Sequence, residues 1–138
     1  MSTRSNIGMV VGGEIRAIYC HFDGDLEGVG LTLSEHYQDK NKVEELLNLG
    51  HISILDKEIG EKQDFNNRQT GWTLSYGRDR EQEGTEADTF QSVREWLAVC
   101  LESWVEYAYL YEEGSGWSYF QDLEESSKIQ FHLTNKSA

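Results

Sequence analysis

The chain has 138 residues, 38% of them hydrophobic and 12% aromatic, and carries 25 acidic against 12 basic side chains, for a net charge of −13. The length and apolar content predict one folded domain, 1–138, with one core rather than a disordered chain. The charge argues against direct binding of DNA, RNA or an anionic membrane; it permits a basic protein partner, imitation of a nucleic acid's charge, or simple resistance to aggregation.

Residues 7–11 form a short apolar run, and Gly12-Gly13 after it signals a two-residue hairpin. The next strand, 14–22, alternates, with Ile15, Ala17, Tyr19 and His21 on one face and Arg16, Ile18, Cys20 and Phe22 on the other. Both faces are largely apolar, which predicts a central strand with a layer on each side. Asp23-Gly24 breaks it, and Gly28 and Gly30 loosen the entry to a helix reaching Tyr37, with Val29, Leu31, Leu33 and Tyr37 as its apolar side. Asn41, with Glu44 completing a capping box, predicts the start of a second helix. Val43, Leu46, Leu47 and Leu49 give that helix its apolar face, and Gly50 its end.

Residues 51–55 read as a short extended segment and 57–70 as a polar loop. Residues 71–76 alternate Trp72, Leu74 and Tyr76 against Thr73 and Ser75, which predicts a strand with its apolar side buried. Residues 77–87 read as a charged loop. Asp88 is expected to cap the strongest helix, in which Phe90, Val93, Trp96, Leu97, Cys100 and Leu101 recur at spacings of three and four. Residues 105–111 and 116–121 predict a hairpin around Glu112-Glu113-Gly114-Ser115. Residues 128–133 alternate Ile129, Phe131 and Leu133, as an edge strand or as part of a tail, 126–138, that orders only on contact. Proline is absent, so turns fall to glycine, Asn, Asp and Ser. The pattern is an α+β domain, a mainly antiparallel sheet with about three helices packed against it. Cys20 and Cys100 both follow apolar residues, which suits buried thiols in a reducing cytoplasm, with a disulfide left open. The first residues lack the apolar core of a signal peptide, and no apolar run approaches the ~18 residues of a membrane helix.

Four groups of residues invite a chemical reading. His21, Asp23 and Asp25 crowd one turn and can act as an acid–base pair or, with His36 or His51, as metal ligands; equally, they can cap a strand end and a turn. The glycines from Gly24 to Gly30 precede a helix, but Asp25 and Glu27 repel a phosphate and no Walker lysine follows. Arg78-Asp79-Arg80 can take a carboxylate or phosphate, or pair locally. Residues 101–125 hold seven carboxylates, Glu102, Glu106, Glu112 and Glu113 among them, and no Lys or Arg. Trp104, Tyr107, Tyr109, Tyr111, Trp117, Tyr119 and Phe120 lie between them, as a binding face for a basic protein or as core. There is no evident catalytic triad, and no cofactor is expected.

Met1 to Ser5 (M-S-T-R-S), A-I-Y-C-H-F-D-G at 17–24, E-G-V-G at 27–30, L-x-E-H-Y at 33–37, K-V-E-E-L-L-N-L-G at 42–50, I-S-I-L at 52–55, Y-G-R-D-R at 76–80 and E-Y-A-Y-L-Y at 106–111 resemble a family of small, uncharacterised acidic proteins encoded by phages and prophages. The family pattern has Trp where this chain has Phe22, and often Tyr-Pro where it has Asp25-Leu26. The resemblance implies an accessory protein of the host bacterial cytoplasm and supplies no catalytic residue. By analogy with small acidic phage proteins, it points to an inhibitor of host defence or of nucleic-acid machinery, anti-CRISPR-like or a nucleic-acid mimic. The leading expectation is a non-enzymatic protein that binds and inhibits or redirects a host protein with a basic surface, through the acidic face. The alternatives are a small-ligand binder or metal-assisted enzyme using His21, Asp23, Asp25 and the Arg78–Arg80 loop, and a self-assembling homo-oligomer.

Overall fold

The computed structural model describes residues 2–121 and Leu123. The expected strand at 128–133, and Asp122, Glu124 and Glu125 of the acidic segment, lie outside the described residues. The architecture is α+β, one mixed sheet with helices on both faces.

The sheet is built on the first hairpin. Strand β1, Ser5–Val11, turns at Gly12 (φ 59°) and Gly13 (φ 85°) into β2, Glu14–Cys20. Two consecutive positive φ angles make the turn whose twist matches that of antiparallel strands, and Gly-Gly is among the sequences that adopt it at low cost. A π-helical turn, Leu26–Gly30, runs into α1, Leu31–His36, and α2, Lys40–Asn48. Then follow β3, Ile52–Ile54, the long polar connection, β4, Leu74–Ser75, and a single helical turn α3, Tyr76–Arg80. Strand β5, Asp88–Phe90, precedes α4, Val93–Glu102, and the hairpin β6, Tyr107–Glu112, and β7, Gly116–Gln121, follows. The sheet order is β4-β3-β2-β1-β6-β7, with β5 also on β2. Four pairings are antiparallel; β1 with β6 and β2 with β3 are parallel. The sheet is thus mainly antiparallel.

Both faces of β2 are packed, as its alternation predicts. On one side Ile18 and Cys20 meet Leu33, Tyr37, Val43, Leu46 and Leu47 of the α1–α2 corner and Tyr109 and Trp117 of the second hairpin. On the other, Ile15 and Ala17 meet Trp96, Leu97 and Cys100 of α4. Tyr37 ties the corner down: its hydroxyl donates to the Asp56 carbonyl at 2.7 Å, and its own carbonyl accepts from Trp117 Nε1 at 2.9 Å. Trp96 donates from Nε1 to Asn6 Oδ1 at 2.8 Å and stands edge-on to Phe120. Cys20 and Cys100 are both free and sit in different clusters on opposite faces, each thiol pushed up to about 12 by burial.

Several local expectations are overturned. Asp39, not Asn41, caps α2, its carboxylate accepting the Asn41 N–H at 3.4 Å. Leu31 is exposed, because the π-turn ahead of it shifts the helical phase and leaves Leu33 to face the core. Residues 71–76 are not a strand with an apolar inner side: only Leu74–Ser75 pair, and Thr73 and Ser75 are fully buried while Trp72 and Tyr76 are half-exposed. Their hydroxyls explain the inversion, donating to the carbonyls of Asp56 at 3.1 Å and Leu49 at 3.1 Å. Asp88 does not cap α4; it begins β5. Ser92 is the cap, accepting the Glu95 N–H at 3.1 Å while Glu95 Oε1 accepts the Gln91 N–H at 2.6 Å, two bonds that together outcompete a lone aspartate.

Gly8 lies beneath the Trp96 ring, where a β-carbon would stand 3.0 Å from it. Gly8→Val is therefore expected to destabilise the fold by about 1–3 kcal/mol in urea titrations. Gly12→Asn, in open space at the turn, is expected to stay within about 0.5 kcal/mol of the parent.

Candidate functional site

The 21–25 turn is a packed corner. Asp23 takes a left-handed backbone (φ 57°), and Asp25 caps the π-turn, accepting the Gly28 N–H at 3.0 Å. Gly24 donates to the Thr3 carbonyl at 2.8 Å and accepts from the Tyr109 hydroxyl at 2.7 Å, and a side chain there would strike Ser5. His21 shares a 2.7 Å hydrogen bond between Nδ1 and the Tyr19 hydroxyl, and its ring stands edge-on to Phe22. His36 lies at the end of α1, 3.9 Å from the Glu35 carboxylate, and no hydrogen bond or ion pair joins it to His21 among the described residues. Among those residues, no group of three or more His, Cys, Asp or Glu side chains is placed to hold a metal ion.

The arginine group is likewise committed. Asp79 has a fully covered side chain that accepts from Ser75 N–H at 2.8 Å, Gln63 N–H at 3.1 Å and Arg78 Nε at 2.8 Å. Arg78 spends its remaining donors on the carbonyls of Ile59 at 2.9 Å and Thr73 at 2.7 Å. This pair pins the 57–73 connection onto β4 and α3. Burial works to raise the Asp79 carboxyl, but the bonds from Arg78, Ser75 and Gln63 outweigh it and hold it below the ordinary carboxyl value. Asp56 behaves the same way through the Lys57 N–H and Arg68. Arg80 lies over the rings of Phe65 and Tyr76 and donates to Gln82 at 2.7 Å. No hydrogen bond or ion pair joins Arg78–Arg80 to the 21–25 turn among the described residues.

The acidic segment divides. Glu112 and Glu113 are at the tip of the β6–β7 hairpin, where Glu113 pairs with Lys40 at 3.2 Å. Glu102 and Glu106 are at the other end, flanking Trp104. Six residues of strand place Glu106 and Glu112 about 20 Å apart at ~3.3 Å per residue, so the four glutamates do not share one patch. The aromatics between them are mostly core, Tyr109, Tyr111, Trp117, Tyr119 and Phe120 all being buried. Trp104 is the exception at 79% exposed. It ends α4 with φ 64°: its N–H bonds the Leu101 carbonyl at 3.2 Å, and the Val105 N–H reaches back to the Cys100 carbonyl at 3.0 Å. That is the paired closure in which the left-handed residue is usually glycine. A tryptophan there carries a backbone penalty and hides almost none of its ring. Leu101, Val105, Tyr107 and Leu123 line the adjoining cavity of about 560 Å³.

His51, expected only as a distant metal ligand, has a different place. The far edge of β2 is shared by β5, which pairs Ile15–Ala17, and β3, which pairs Cys20. Tyr19 falls in the gap between them, and its N–H donates to His51 Nδ1 at 3.0 Å. The imidazole stands in for a strand carbonyl, with Nε2 facing the Asp88 carboxylate at 3.6 Å. Burial lowers the His51 pKa more than Asp88 and Glu86 raise it. No pairing rule marks a histidine for this position, and only the three-dimensional gap identifies it.

Two measurements test these assignments. Arg78→Ala is expected to cost about 3–5 kcal/mol by leaving a buried carboxylate unpaired, and Arg78→Ala with Asp79→Ala less than the sum of the two single changes. For pH, His51 is held neutral in the fold while the unfolded chain takes up its proton, so stability should begin to fall as pH drops below the ordinary 6.5. Asp56 and Asp79 contribute stability that is present above the ordinary 3.8 and lost as pH falls below it. Urea midpoints from pH 8 to 3 should therefore decline in two stages, and His51→Gln should remove the first. No helix of the described residues is long and apolar enough to cross a membrane. Among known proteins, no family, no curated protein and no solved structure matches the chain.

Proposed function

We propose that this chain is a binding protein rather than an enzyme, an accessory protein that docks on a basic surface of a host protein and inhibits or redirects it. The observation that carries this reading is Trp104, a large aromatic side chain 79% exposed on a backbone conformation that favours glycine. Exposed tryptophans of this kind serve as anchors in protein interfaces, where one buried aromatic supplies much of the affinity. Leu101 and Val99, both about two-fifths exposed, extend the apolar patch along α4. Glu102 and Glu106 rim it, and no Lys or Arg occurs from 95 to 127. Such a patch complements an apolar pocket ringed by basic side chains. The net charge of −13 steers the encounter, and the resemblance to phage accessory proteins supports a bacterial host protein as the target.

The docking face is the α4 end, not the hairpin tip, so the glutamates divide into two classes. Immobilised protein is passed nuclease-treated bacterial lysate at low salt and eluted with a salt gradient, alongside Trp104→Gly, Glu102→Lys/Glu106→Lys and Glu112→Lys/Glu113→Lys. Trp104→Gly is expected to stabilise the fold by about 0.5–1 kcal/mol, by relieving the left-handed backbone, and to lose at least tenfold of the captured partner. The Glu102/Glu106 reversal should release it at lower salt, and the Glu112/Glu113 reversal should change little. Capture indifferent to both Trp104 and salt would sink the proposal.

A further inference from the structure

The cleft beside His51 lies apart from the Trp104 end of that docking face and shares only Val99 with it. It is about 390 Å³, within the ~300–1,000 Å³ of small-molecule sites, and is bounded by the start of the chain, the far edge of β2 and the C-terminal end of α4. We infer that it binds a small organic monoanion, a carboxylate on an apolar body, with Arg4 as the charge partner.

The argument starts from Arg4. In a chain with 25 acidic side chains, the other half-buried arginines have found partners. Arg16 donates to Asn48, Arg68 pairs with Asp56 and Arg78 with Asp79. Arg4 is also half-buried and lines the cleft, yet makes no side-chain hydrogen bond or ion pair among the described residues. Its guanidinium donors still face water, so an incoming carboxylate meets them without displacing a protein acceptor.

The neighbouring groups are also donors. Asn6 Oδ1 already accepts from Trp96 Nε1, so the Asn6 amide NH₂ is the end left for the cleft. Ser103 adds a hydroxyl that no described residue engages. His51 Nδ1 accepts the Tyr19 N–H, which places the neutral ring's proton on Nε2, facing Asp88. Asp88 therefore answers His51 and adds one negative charge at the exposed rim, which disfavours dianions. Phe90 and Val99 supply an apolar wall for the body of the ligand.

Benzoate is the probe, titrated into ¹⁵N-labelled protein, with benzyl alcohol as the neutral match and phthalate as the dianion. The expected result is saturable shifts at the amides of Arg4, Asn6, Tyr19, His51 and Ser103 with benzoate, and at least tenfold weaker binding of the other two. Arg4→Gln should weaken benzoate at least tenfold, while Arg94→Gln, at an exposed arginine, should not. Ser103→Ala gives a second reading, an expected threefold loss, should Arg4→Gln disturb the fold. Trp104→Gly should leave the titration unchanged, which separates this site from the docking face. The inference is overturned if benzoate gives no saturable shift, if benzyl alcohol binds equally well, or if neither Arg4→Gln nor Ser103→Ala weakens binding.

Discussion

Burial of both faces of β2 is the constraint from which the rest of the molecule follows. A strand with Ile15 and Ala17 on one side and Ile18 and Cys20 on the other is stable only between two layers. One layer is the α1–α2 corner, locked by the Tyr37 and Trp117 hydrogen bonds; the other is α4, seated by Trp96 over Gly8. The edges of the same strand are just as demanding. β1 occupies one, and the other is divided between two short strands that leave Tyr19 to His51. A histidine ring completing a backbone ladder meets the rule that buried N–H groups be paired, using a group whose acceptor is lost on protonation.

The polar residues that look most like chemistry in the sequence are those the fold consumes. Asp25 caps a turn, Gly24 makes room for Ser5, and Arg78 and Asp79 saturate one another and the carbonyls around them. The 57–73 connection adds little to the main core and is held largely by polar contacts, this ion pair and that of Arg68 with Asp56 among them. Groups left over by that accounting are few, and they differ in kind. Trp104 is apolar and outside; Arg4 is charged and half inside. Trp104 leaves an apolar ring in solvent and Arg4 has no side-chain partner among the described residues, which is what distinguishes them from the many satisfied residues nearby.

The first hairpin, the central character of β2, the second hairpin and the α+β class were legible because each rests on one strong local signal: paired glycines, or alternation over a full strand. What was not legible depended on competition between signals. Ser92 and Glu95 outcompeted Asp88 because two hydrogen bonds at the helix start outweigh one. Thr73 and Ser75 turned inward against hydrophobicity because carbonyls of Leu49 and Asp56 awaited donors there. A π-turn moved Leu31 out of phase, and no composition rule announces such a turn. For the candidate sites, the sequence placed Trp104 among the aromatics of the hairpin. The clue it held was a helix ending without a glycine to follow, so that some bulkier residue had to take the left-handed position.

The parallel pairing of β1 with β6 bears on how the molecule is made. Ser5 pairs with Tyr107, about 100 residues later in the chain. On the ribosome the first hairpin emerges early, with both outer strand edges and two apolar faces uncovered, and waits for most of the polypeptide before β6 and α4 arrive. Contacts of such long sequence separation slow the search for the native topology. Yet with no proline anywhere, nothing adds a peptide-bond isomerisation to that search. The nascent chain is exposed for the time its length requires, and once β6 is available it closes without a slow covalent rotation to hold it open.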